Sequence, residues 1–545
     1  MILRKTVLGL MSAALLSSVV HAQINTDQLS AASAYDAGVL QGGGLDSALW
    51  QGVSAERAAV LINNIDTDTT GPARGLIRVA LLSGGVPPQA RDKLERETYI
   101  AARLSAVLRL GDLSVFDSLV GSMLGSNSTN RSYTKLIAER ALLGGDTKSA
   151  CAIADENTVA RKSPYWAKLR AFCHVVRDEI PAAELTSDLL VRSGYQDKIF
   201  FDLLGKLMGT RSDIKIDSQK VNNIDTPLQS AMLREIFKTE MLDLDKLPVT
   251  ISAAIALDPE RSPDDRLEAL FASSSILSAE QIRAVLGGLA DGPFVSGEEL
   301  AAKGLATKKW DAAIWGGAYL ALTKSNHLAN SNGMSNSAAL AGAIFAQADK
   351  QDQLTDFARA LETDTALISA EFQAKHNPEL FARVAALRGD TDTLGGLFQA
   401  LEADDPLRAR IALASDALGN GFMLGDLGAD IENRLALTAR KDRNAQARAV
   451  RDTYIAVALG ANLSSNVEAA LRKARLKGST IRPSSLLALQ ASARRASKAE
   501  VALRAAPMIK GKPLRADAFA AVLSAMVSAG MRKQAGQLAA LDILR

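Results

Sequence analysis

Apolar residues along this 545-residue chain fall in amphipathic runs of helical period, and no stretch shows the strict alternation of a half-buried strand. The runs open alike. Ser163-Pro164, Thr226-Pro227, Ser262-Pro263, Asn377-Pro378 and Asp405-Pro406 each set a capping side chain before a proline. Proline suits the first helical position, where an N–H would have no intrahelical partner. Asp264, Asp265 and Glu379 add negative charge in the first turn, where the helix dipole favours it. The runs also end alike. Leu110-Gly111-Asp112, Gly144-Gly145-Asp146, Arg388-Gly389-Asp390 and Leu459-Gly460-Ala461-Asn462 each offer a glycine to terminate one helix and a polar residue to start the next. This predicts some twenty helices of roughly 10–16 residues, joined by short connectors. Looser stretches are expected at Gln41–Gly44, Gly205–Asp225 and Ser325–Asn336.

One run is of another kind. A positive start through Arg4 and Lys5, an apolar stretch from Val7 to Val20 and the small-residue site Val20-His21-Ala22 read as a signal peptide over residues 1–22. The expected location is the periplasm, with no transmembrane segment, since no later run has the ~18 apolar residues a span needs. Export also changes the reading of Cys151 and Cys173, the only two cysteines. They stand roughly equally far from a loop near residue 161, on the two arms of an expected helical hairpin, which makes a disulfide the expected state.

Aromatic residues make up only 5% of the chain, which again favours helix over sheet. The net charge of +3 hides a division: residues 440–545 hold 20 Lys and Arg against 6 Asp and Glu, a balance of +14. With Arg4 and Lys5 set aside, residues 23–439 then carry −13. The expected organisation is an irregular N-terminal segment at 23–90, an acidic helical array at 91–439 and a basic helical region at 440–545.

Small residues four apart, such as Ala338 with Gly342 and Ala339 with Ala343, line one side of a helix and let a partner approach closely. With a helix pair of about 35 to 40 residues as the unit and Gly-Asp at the turns, residues 91–545 resemble the tetratricopeptide-like α-solenoids in degenerate form. The strict Trp-x-x-Leu-Gly-x-x-Tyr signature is absent. The resemblance implies an all-α, elongated superhelix of antiparallel helix pairs with a long surface for proteins or peptides. Ser47–Gly52 and the cysteine-bearing hairpin also resemble features of exported helical proteins of Gram-negative bacteria, a similarity that implies no activity.

Signatures of catalysis are incomplete. Gly42-Gly43-Gly44 lacks the Lys-Ser/Thr of a phosphate loop. Ser132-Tyr133-Thr134-Lys135 has no Lys-Thr-Gly partner, and no Gly-x-Ser-x-Gly or His-Glu-x-x-His occurs. Asp66–Gly71 and Asp390–Gly395 resemble half a calcium loop, but the twelfth positions are Ile77 and Leu401 where glutamate is required. No enzyme activity, metal or cofactor is therefore expected.

The basic region is the candidate binding face. Arg472, Lys473, Arg475 and Lys477 are expected along one helix flank, extended by Arg494, Arg495 and Lys498 on the next pair. Its expected partner is an acidic protein surface, or anionic glycan or lipid head groups, rather than nucleic acid, since few aromatics stand by to stack bases. The expected role is an exported scaffold or docking protein of the cell envelope. A glycan- or peptidoglycan-binding accessory subunit is the alternative.

Overall fold

A computed structural model describes residues 35, 37–40, 44–45, 48–66, 69–124, 133–157, 163–211, 216, 224, 226–239, 247–290, 310–323, 331–419, 443–474 and 476–545. The signal-type segment at 1–22, Ser132 and Arg475 lie outside these. Among the described residues are 27 helices and no strand, so the chain is all-α. The only β-type pairings described are two isolated bridges, Ser54 with Gln89 and Ser479 with Leu514.

Local chemistry explains most helix boundaries. Ser262, Asn377 and Asp405 accept the backbone N–H of Asp265, Leu380 and Leu407, and Thr226 Oγ1 accepts that of Gln229 at 3.2 Å. Ser163 makes no such bond. Gly111, Gly145, Gly389 and Gly460 all turn with φ between +70° and +102°, a conformation that costs glycine little and other residues more. The loop expected through Asn336 stops sooner, because the Ser331–Lys350 helix extends back from its buried Ala338–Ala348 stretch.

Burial divides the described chain into two cores. One gathers residues 138–251 around Phe172, Phe200, Leu204 and Met232. Cys151 on the Thr147–Glu156 helix and Cys173 on the Pro164–Val176 helix are bonded inside it, with Cα atoms 5.6 Å apart. The larger core takes residues 35–133 together with 253–544, and Ile255 packs against both. Helices past residue 440 therefore share a core with the first helices: the charge boundary is not a packing boundary.

The larger core joins distant parts of the chain. The Gly71–Leu82 helix packs most heavily on Lys498–Ile509, Pro406–Leu418 on Arg532–Leu544, and Arg443–Ala458 on Ala516–Ser528. Gly536 permits the second of these contacts, since a Cβ there would lie 2.1 Å from the Ala417 carbonyl oxygen. In an open repeat array each unit touches only its sequence neighbours; here the N-terminal helices meet the C-terminal ones. The amide of Ala499 donates to the Leu49 carbonyl at 2.9 Å, and Lys510 reaches Asp66 at 2.5 Å.

Arginines tie the helices end to end. Arg103, fully buried, donates to the Leu81 and Ser83 carbonyls at 2.6 and 2.9 Å, at the C-terminus of the Gly71–Leu82 helix. Arg234 serves Leu142, Arg266 serves Ala256 and Gly288, Arg388 serves Ala358, Arg410 serves Ile543 and Arg532 serves Ala417, each at or near the end of another helix. The last carbonyls of a helix have no intrahelical donor and carry the negative end of its dipole, so a guanidinium from a neighbour satisfies both. Burial pulls the Arg234 and Arg388 guanidinium pKa values down from their usual range.

Candidate functional site

The basic region spends much of its charge internally. Glu500, in the first turn of the Lys498–Ile509 helix, is fully buried and receives three guanidinium groups. Arg57 donates through Nε at 3.1 Å and Nη2 at 2.6 Å, Arg504 through Nε and Nη2 at 3.0 Å each, and Arg495 through Nη2 at 2.8 Å. Burial by itself would raise this carboxyl, but the three donors outweigh it and hold the pKa down at about 2. Arg57 comes from the first described helix, so this cluster clasps the two ends of the chain. Arg451 forms a second, bidentate tie to Asp542 at 2.5 and 2.7 Å.

This corrects the expected basic face. Arg495 is committed to Glu500, and Lys498 is buried at 7% exposure under the turn at Gly530. Nor do Arg472, Lys473 and Lys477 share a helix. The helix ends at Lys473, and Ala474 is extended with ψ 135°, as the chain moves towards the bridge between Ser479 and Leu514. Arg472 is 81% exposed with Glu468 at 3.7 Å, while Lys477 and Arg494 are exposed. Arg495 and Lys498, turned inward, therefore join no face with the exposed Arg472, Lys477 and Arg494.

Cations converge instead on a groove beside the clasp. A cavity of about 550 Å³ is lined by Arg482, Arg504, Lys510 and Lys512 and by no carboxylate. Ser479, Thr480, Ser485 and Asn64 add polar groups, over apolar walls from Leu61, Ile481, Leu503, Pro507, Met508 and Leu514. Arg504 and Lys510 are engaged by Glu500 and Asp66. Arg482 and Lys512 are exposed and have no ion pair among the described residues. On the other side of the 509–514 turn lies a cleft of about 660 Å³. Its walls carry the neutralised pairs Arg383–Asp349 and Arg451–Asp542, with Lys477 at its edge, so it has less net charge than the groove.

Arg482 and Lys512 are not legible as a charged helix flank, because Arg482 is the N-cap of the Pro483–Arg494 helix and Lys512 lies in the bend after the Lys498–Ile509 helix. Their signal was the repeated cation-proline step, Arg482-Pro483 and Lys512-Pro513, on two segments that the bridge joins. Elsewhere, Trp315 is buried among Phe271, Phe357 and Trp310, with ring centroids 5.2 to 5.5 Å away, as part of the core. Asp390 caps its helix through the Thr393 amide. No group of three or more His, Cys, Asp or Glu among the described residues is placed to hold a metal ion, and no described helix is long and apolar enough to cross a membrane. Searches against protein-family models, curated proteins and solved structures find no match for this chain.

Proposed function

We propose that this chain is an exported, non-enzymatic docking protein of the cell envelope whose C-terminal groove receives an acidic segment of a partner protein. The observation carrying this reading is a groove lined by four cations and no carboxylate, with apolar walls to seat side chains. The signal-type segment at 1–22 and the Cys151–Cys173 bond support an extracytoplasmic setting. Helix pairs turned at Gly-Asp steps are the part of the tetratricopeptide-like resemblance that fits a binding role, although the packing of the first helices on the last departs from an open superhelix. No aromatic ring lines the groove, which favours a peptide over the stacked sugars of a glycan reading.

The test uses the disulfide-intact mature chain and three probes: a labelled peptide alternating Glu and Leu, a sulfated oligosaccharide, and phosphatidylglycerol vesicles. The peptide should bind best, more weakly as salt rises, and about five- to tenfold more weakly to Arg482→Gln/Lys512→Gln, as two exposed charges warrant. Preference for sugar or vesicle, or equal binding by parent and variant, overturns the assignment.

A further inference from the structure

The same chain presents a surface that matches its own groove. The Ile180–Arg192 helix buries only Ala183 and Leu190, and its one substantial neighbour among the described helices is Pro164–Val176. On its open side Leu185 is 64% exposed and Leu189, one turn later, 56%. Apolar residues of this size, exposed together on one helix, mark an interaction surface rather than scattered surface leucines. Glu184 and Asp188, also exposed and one turn apart, run beside the leucines. An apolar ridge edged with carboxylates is what a groove with apolar walls and unpaired Arg482 and Lys512 can accommodate, in the manner of a helix laid into a groove.

From this complementarity we infer that the occupant of the groove is the Ile180–Arg192 helix of a second copy of this chain. The inference rests on the docking reading above and names its partner. The helix belongs to the smaller core and the groove to the larger, so each copy offers both halves at different places. Such a contact either occurs twice in a reciprocal two-fold dimer or repeats head to tail into a ring or filament.

Sedimentation of the disulfide-intact mature chain over about a hundredfold range of concentration tests this. The parent should grow with concentration and shrink as salt rises. Leu185→Ser/Leu189→Ser should weaken association at least about tenfold. Glu184→Lys/Asp188→Lys and Arg482→Glu/Lys512→Glu should each be monomeric alone and associate when mixed, because each then supplies what the other lacks. All the replaced residues are exposed, and circular dichroism of each variant establishes that it is folded. A parent that stays monomeric, association that survives the serine variant, or folded charge variants that fail to associate on mixing overturns the inference. A monomeric parent that still binds the Glu-Leu peptide overturns self-docking alone; one that binds no peptide overturns the docking reading as well.

Discussion

Replacing Glu500 by glutamine tests the clasp between the chain ends. In the folded protein the carboxyl titrates at about 2, against 4.5 for an ordinary glutamate. As pH falls, the unfolded chain therefore takes up this proton before the folded one, and stability is lost between about pH 4.5 and pH 2. The interval corresponds to about 3 kcal/mol. Arg57 and Arg495 are 49% and 37% exposed, so water screens part of it, and about 2–3 kcal/mol is the working figure. Glutamine keeps the shape, removes the charge and turns an N–H₂ towards at least one guanidinium. Glu500→Gln should thus lower stability at pH 7 by about 2–3 kcal/mol, near the cost of leaving buried charges without their counter-ion. Urea unfolding at pH 7, 4 and 2 measures the difference, and hydrogen exchange in Ala55–Asn63 and Lys498–Ile509 localises it. Below pH 2 parent and variant should converge, since the parent is then protonated as well. A variant within about 0.5 kcal/mol of the parent at pH 7, or one with the parent's acid dependence, refutes the reasoning.

Cys151→Ser/Cys173→Ser opens a loop with a sequence separation of 22 and should cost about 3 kcal/mol, confined to the smaller core. Calorimetry should show one transition moved down and the other unchanged. Arg103→Met leaves two buried carbonyls without a donor and should cost about 2–4 kcal/mol. Arg103→Lys, which cannot serve both from one compact ammonium, should recover only part of that in thermal unfolding.

Short-range chemistry was legible in the sequence. The Gly-Asp turns, four of the five capped proline starts and the cysteine pair depend on neighbours in sequence or on one hairpin, and the structure has them as expected. What was illegible depends on contacts between separate helices, the farthest of them hundreds of residues apart. Arg495 looks solvated until Glu500 is seen buried beside Arg57 from the other end of the chain. Counting Arg and Lys together as surface charge also hid the arginines that end other helices, because a helix terminus does not announce which neighbour will satisfy it. The expected 472–477 flank failed for a similar reason: the bridge from Ser479 to Leu514 draws the chain out of helix at Ala474.

Because the Gly71–Leu82 helix has its largest contact on Lys498–Ile509, the order of synthesis bears on when this molecule can finish folding. The early helices leave the ribosome with one flank uncovered, and that flank meets its partner only after some 420 further residues have been made. Closing so long a loop costs chain entropy that local helix pairs do not face, so completion is late and slow relative to the pieces. A chain truncated before residue 498 would leave the Gly71–Leu82 helix without its largest contact, and such nascent lengths are the forms most exposed to aggregation.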